Sequence, residues 1–368
     1  MAHDRVRFFY DRNPTMVDWN EPTIGRSGEG EDEDASQRAA QWSAARRRFM
    51  QLASRPDGEI DLAEGALLIA AEERPGLDIA AYHSRLDALA ERVRRQVALR
   101  SGGGGDHPPH NADEVALEAL HTILFEEEGF TGAAPEDFTN PRNSLLSDVL
   151  DRKRGLPITL SVVYCEVARR AGLHAVGIGL PGYFVAQFRG RQFSTFVDPY
   201  RGGARLQRQD CLAIVRRLLG PEVELADEHF QPAAPKMILA RILNNLKEHH
   251  LHHGHLAKAL QAVERILLLQ PSLEQVRDRG LILRDMGLFL LSATRLPRAE
   301  ESEEPAAGRP IRRMATSAEL PDPQPAVLFL SSAWFDLKLY AREAAGQPDA
   351  KAAGSAADNL WSRLGRQN

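Results

Sequence analysis

Between Gly155 and Gly203 the hydrophobic pattern switches from a helical period to a strand period, and that switch restricts the fold more than any other feature. Gly155-Leu156-Pro157 opens the helical part. Proline suits the first turn of a helix, where its missing N–H costs nothing. The pattern predicts a helix to about Ala171, with Gly172 as its stop. Three short extended runs follow: His174–Leu180, Tyr183–Phe188 and Gln192–Val197. Pro181-Gly182 separates the first two. Gly190-Arg191 separates the last two and reads as a two-residue hairpin loop. In that register Arg189 lies opposite Gln192 and Tyr183 opposite Asp198, so Tyr183 and Asp198 can meet on one face. A helix feeding an antiparallel meander makes an α+β unit.

The rest of the chain reads as helix. Leu62, Ala66 and Ile69 share the face of a helix that ends at Pro75. Asp78 caps a long amphipathic helix carrying Ile79, Tyr82, Leu86, Leu89, Val93 and Val97. Leu117, Leu120 and Leu124 mark another, which stops at Gly129. Asn143 or Ser144 caps a helix holding Leu145, Leu146 and Val149, and Gly155 closes it. Residues 207–219 form one more. From Pro235 the pattern is helical throughout, with a hairpin over Leu243–Pro271 that packs closely at Gly254 and Ala259 and a second starting at Val276. Five acidic residues crowd Gly28–Asp34, and six prolines fall within 297–325. Neither composition buries enough surface to order itself. The expected division is a disordered or weakly ordered tail over 1–57, within which Ala39–Leu52 can form a short helix. A core domain over 58–234 and a helical segment over 235–296 follow, then a mostly disordered tail over 297–368 with a helix at 326–342.

Composition removes several function classes. With 43% apolar residues in 368, the chain can bury one or two cores. A net charge of −5 leaves no global basic field, so neither nucleic acid nor a membrane surface is an expected partner. No apolar run approaches the roughly 18–20 residues that span a bilayer. Met1–Arg12 has no apolar core of a secretory leader. Cys165 and Cys211, the two cysteines, build neither a disulfide framework nor a four-cysteine zinc site. A reducing, cytoplasmic setting is the expectation.

Several segments in order resemble one family. NPRNSLLSDVLDRKRGLPITLSVVYCEVARRAGL, then GLPGYF, then FVDPYRGG look like the bacterial transglutaminase-like core family with C-terminal tetratricopeptide repeats, whose members are named after an invasion-gene regulator. ALLIAAEERPGLD and LFEEEGFTG upstream, and ILNNLK and RDRGL downstream, extend the resemblance over about residues 60–290. It implies a transglutaminase-like (papain-like) helix on a small antiparallel sheet, a helical N-terminal layer and a C-terminal tetratricopeptide-like hairpin. In related active enzymes the helix start carries a cysteine, one strand a histidine and the next an aspartate. Those places fall here at Pro157, Tyr183 and Asp198. Proline has no nucleophile, and PGYF replaces the PGHF-like motif of the family. Tyrosine, with an ordinary pKa near ~10, is a poor base at neutral pH. No catalytic residue is expected, and Asp198 then holds a turn or a helix end. The implied function is a non-catalytic scaffold or regulatory protein that binds a protein or peptide. The alternative is a cysteine-protease-like hydrolase or acyltransferase with a non-standard nucleophile. The resemblance further implies a concave helical face showing Arg241, Asn244, Glu248 and His252 to an acidic or C-terminal peptide segment.

Other candidates have plainer readings. Cys165 sits two turns into the helix among Ser161, Val162 and Ala168, as a small buried hydrophobe does, and Cys211 reads as a helix-face residue. Thr159 and Ser161 have hydroxyls near the helix start but no visible base, so capping or packing is expected. His249, His250, His252, His253 and His255 cluster near a helix end, where a partial positive charge is favourable. No metal ion and no other cofactor is expected.

Overall fold

The computed structural model describes residues 29–101, 112–294 and 324–364. The described chain divides into two units: 29–249 with 268–270, and 250–267 with 271–294 and 324–364.

The first unit starts with helix α1 (Glu29–Ala53), which buries Ala45, Phe49, Leu52 and Ala53. The expected tail over 1–57 is corrected here: 29–53 is helix, because the apolar face of its last two turns has a surface to cover. Residues 1–28 lie outside the described residues. Helix α2 (Leu62–Glu73) is capped by Asp61, whose carboxylate accepts the Glu64 N–H at 2.9 Å. It is buried nearly all round, and Gly65 leaves room for Leu239. Asp78 caps α3 (Ile79–Ser101), as expected from its position. Helix α4 (Ala112–His121) runs on through a π-helical turn, Thr122–Glu127, to Gly129.

Strand β1 (Thr131–Gly132) pairs in parallel with β2 (Arg154–Gly155), and α5 (Leu146–Arg152) lies between them in sequence. Lys153, not Gly155, takes the left-handed position that ends α5, at φ 59°. The expected cap at Asn143 or Ser144 is likewise moved, to Leu145. Gly155 is needed for closeness: a Cβ there would lie 2.9 Å from Val149 and 3.1 Å from Thr159.

Helix α6 (Pro157–Arg170) starts with proline in its first turn and is buried along nearly its whole length. The sheet beside it has four strands, not three: β3 (Ala175–Ile178), β4 (Val185–Arg189), β5 (Ser194–Asp198) and β6 (Ala204–Leu206), each antiparallel to the next. The β4–β5 register differs from the expected one by two residues, with Arg189 opposite Ser194 and Ala186 opposite Val197. The turn holds four residues, closed by the Gly190 N–H on the Phe193 carbonyl at 2.9 Å. Asp113 on α4 accepts the Gln192 N–H at 2.5 Å, so a distant residue selects the longer turn. Helix α7 (Arg208–Leu219) follows, and α8 (Pro235–His252) begins after Ala233 has donated its N–H to Gly177 at 2.8 Å.

The second unit holds α9 (Leu256–Leu269) up to Leu267, with α10 (Leu273–Thr294), α11 (Gln324–Glu343) and α12 (Ala350–Leu364). Gly280 and Gly287 let α10 lie against Leu337 and Leu330 of α11. Trp334 of α11 meets Trp361 of α12 with ring centroids 5.3 Å apart. The expected disordered tail over 297–368 is corrected at 324–364, which forms two helices, the second unforeseen; residues 295–323 lie outside the described ones. No helix among the described residues is long and apolar enough to cross a membrane.

Candidate functional site

The site forms where α6 packs against β3, β4 and the turn Pro199–Arg201 that follows β5. Asp198, the last residue of β5, is fully buried. Its carboxylate caps that turn by accepting the Tyr200 N–H at 3.1 Å. The Tyr183 hydroxyl donates to the same carboxylate, shared between Oδ2 at 3.1 Å and Oδ1 at 3.3 Å. Arg201 Nε stands 3.6 Å from Oδ2. Tyr183 and Asp198 therefore meet as the sequence implied, although the register does not. A shift of two residues keeps every side chain on its face.

The electrostatics follow from burial. Burial lifts the Asp198 carboxyl above its ordinary range, although the Tyr183 hydrogen bond and the Arg201 charge pull the other way. Burial, and then the Asp198 charge, push the Tyr183 phenol up as well. A phenol that keeps its proton to such a high pH donates to the carboxylate and does not act as a base.

The helix start offers no nucleophile. Thr159 is buried; its hydroxyl donates to the Asn143 carbonyl at 2.6 Å and accepts the Leu156 N–H at 3.1 Å. The Ser161 hydroxyl donates to the Pro157 carbonyl at 2.8 Å. Burial raises the Cys165 thiol steeply, with the neighbouring Glu166 adding to it. Burial pushes the Cys211 thiol up to about 11. Both cysteines are expected to resist iodoacetamide at pH 8 in the folded chain and to react together once the chain is unfolded, as intact mass will show. Fast modification of either native thiol would contradict this environment.

Two side chains act in ways the sequence did not disclose. The Arg241 guanidinium, expected on a peptide-binding face, turns inward and donates to the carbonyls of Tyr183 at 2.9 Å and Leu180 at 3.2 Å. It also lies over the Phe184 ring and holds the PGYF loop. Its other expected companions divide: Asn244 is half-buried, while Glu248 and His252 are exposed. His121, half-buried beside Tyr164 with Nε2 3.3 Å from the phenol oxygen, has its pKa lowered to about 4, chiefly by desolvation. Nothing in the spacing of His121 signalled that pairing. Asn143 could have been read from the NPRN run. It is buried, its carbonyl receives Leu156 and Thr159, and its amide oxygen accepts Arg152 at 2.9 Å.

His250, His252, His253 and His255 make a chain of ring contacts, and His249 is engaged elsewhere. His249 Nδ1 meets the Thr139 carbonyl at 2.8 Å. His250 is buried, and His253 stacks on His255. No group of three or more His, Cys, Asp or Glu among the described residues is placed to hold a metal ion.

The model of the transglutaminase-like superfamily matches residues 80–244, which contain the whole site. A UPF0162 protein of Xylella fastidiosa is 33% identical over 245 residues, covering 64% of this chain and 82% of that protein. A UPF0162 protein of Pseudomonas aeruginosa is 34% identical, over 57% of this chain and 72% of its own. F-box only protein 21 of Homo sapiens is 24% identical over 54% of this chain and 33% of its own length. No solved structure gives a significant match.

Proposed function

The chain belongs to the UPF0162 family and carries a transglutaminase-like superfamily core, and we propose from this premise that it is a non-catalytic scaffold or regulatory protein acting through protein–protein binding. One observation carries the reading: the carboxylate in the triad's place is spent inside the fold. Asp198 accepts from Tyr183 and caps the turn at Tyr200, so no histidine is oriented by it. The residue at the helix start is Pro157, and the buried hydroxyls and thiols nearby are committed or held protonated. Helices α8 to α10 are read as a tetratricopeptide-like segment, because turns of only a few residues join them in succession. The similarity to a third of human F-box only protein 21 supports a module that works joined to other protein.

The test is turnover by the native chain. Incorporation of a fluorescent amine into dimethylated casein, and hydrolysis of a nitrophenyl ester, are expected to stay at the buffer rate. Turnover that is lost on thiol blocking, or in Cys165→Ala, Thr159→Val or Ser161→Ala, would establish the enzyme reading instead.

A further inference from the structure

One cation grips the turn that carries Tyr183. The turn Leu180–Tyr183 closes with the Tyr183 N–H on the Leu180 carbonyl at 3.2 Å, and Gly182 takes φ 68° within it. Arg241 of α8 reaches both ends of this turn. Its Nη2 donates to the Tyr183 carbonyl at 2.9 Å and to the Leu180 carbonyl at 3.2 Å. The guanidinium carbon lies 5.3 Å from the centre of the Phe184 ring. Gly179 makes room for this side chain, since a Cβ there would stand 2.9 Å from Nη1.

Holding a turn requires N–H donors, not a charge. A neutral amide supplies donors at a lower desolvation cost than a guanidinium. The charge of Arg241 is nevertheless unanswered. No carboxylate among the described residues pairs with it, and burial lowers its pKa with no acid opposing the fall. Asp198, the carboxylate of the neighbouring site, is engaged by Tyr183, Tyr200 and Arg201. Nε and Nη1 of Arg241 donate to no acceptor among the described residues. The residue is half-buried, so an anion can reach these donors. No second cation acts on it either, which suits a singly charged carboxylate better than a phosphate dianion. Apolar side chains border the same segment. A Cβ at Gly179 would stand 3.0 Å from the methyl of half-buried Met237. One at Gly182 would stand 3.4 Å from Leu219, which is 53% exposed.

We propose that Arg241 is the binding group for a monocarboxylate whose apolar body lies along Met237 and Leu219. The carboxylate accepts from Nε or Nη1, while Nη2 keeps its grip on the turn. A free acid with an apolar chain and an apolar peptide C-terminus offer this same chemistry. The site does not depend on whether the triad's place is silent.

The experiment is isothermal titration of the full chain with octanoate. Octanamide, inorganic phosphate, a short leucine peptide with a free C-terminus and the amide of that peptide are the other probes. Octanoate is expected to bind with a Kd below about 1 mM, and octanamide at least about tenfold more weakly. Arg241→Gln keeps N–H donors for the turn and removes the charge. It should weaken octanoate about tenfold or more while the urea midpoint moves little. Leu219→Ser changes an exposed side chain and should weaken octanoate about threefold in an intact fold. Tighter binding of the free peptide than of octanoate assigns the carboxylate to a chain end, and the reverse assigns it to a free acid. Failure of both to bind below about 1 mM would overturn the inference. So would octanamide or phosphate binding as tightly as octanoate, or undiminished binding in folded Arg241→Gln. Should that variant unfold, the octanamide comparison and Leu219→Ser decide, and no difference in either would overturn it.

Discussion

Asp198→Ala is expected to destabilise the chain by about 3 kcal/mol, while Asp198→Asn stays within about 1 kcal/mol of the parent. The alanine leaves the Tyr183 hydroxyl and the Tyr200 N–H without their acceptor and Arg201 without its counter-charge. The asparagine keeps an acceptor in place and sheds a buried charge. Linkage gives the pH dependence. The folded carboxyl is raised, so the folded chain holds this proton more readily than the unfolded one. The ionisation penalty is absent below the unfolded carboxyl value of about 3.9 and develops as pH rises through the raised folded value. Asp198→Asn therefore compares best with the parent at neutral pH and loses that advantage in acid. Urea unfolding at pH 7 and at pH 4 measures both. Equal losses for alanine and asparagine would show that the charge, not the acceptor, holds the turn.

Breaking the buried ion pair of the helical unit has the other large effect. Arg279 of α10 donates to both oxygens of Asp336 of α11, at 2.7 and 2.8 Å, and Asp336 is almost fully buried. Burial raises the Asp336 carboxyl, and Arg279 opposes that rise. Asp336→Ala takes two carboxylate acceptors from the buried Arg279 guanidinium, at a cost of about 3 kcal/mol. The double change Arg279→Met, Asp336→Leu is expected to recover most of it, since apolar packing can replace a buried pair. Native-state hydrogen exchange over Leu273–Thr294 and Gln324–Glu343 reads the loss. A change below about 1 kcal/mol in Asp336→Ala would mean that packing along Gly280 and Gly287 holds these helices without the pair.

The features legible in the sequence are those set by neighbours in the chain. Pro157 at the start of α6, Asp78 as the cap of α3 and the meander after Gly172 follow from local rules. The β4–β5 register was not local. Gly190-Arg191 looks like a complete two-residue loop, but Asp113, which holds the Gln192 N–H, stands 79 residues away. The pairing of Tyr183 with Asp198 survived the error because the slip was even. Lys153 takes a left-handed conformation that spacing assigns to Gly155, and its ammonium bonds Glu128 at 2.5 Å. Helix α12 was missed because its buried face is mostly alanine, at Ala350, Ala353 and Ala357, with Leu360 at its end, a weak hydrophobic signal. Arg241 reads as a surface cation on any helical wheel, and only the fold shows that its guanidinium is spent on the Leu180 and Tyr183 carbonyls.

On the proposed non-catalytic reading, Pro157, Tyr183 and Asp198 stand in the places of a Cys–His–Asp triad whose carboxylate now serves the fold. The double variant Pro157→Cys, Tyr183→His tests it through the pH dependence of iodoacetamide alkylation of the new thiol. The native cysteines are buried and serve as a silent background. A thiolate titrating clearly below the free value of about 8.5 is expected, because an imidazole oriented by Asp198 and the helix N-terminus both favour the anion. The shift should shrink in the single Pro157→Cys variant and when Asp198→Asn is added to the pair. A thiol that titrates at its ordinary value in a folded double variant would contradict that reading.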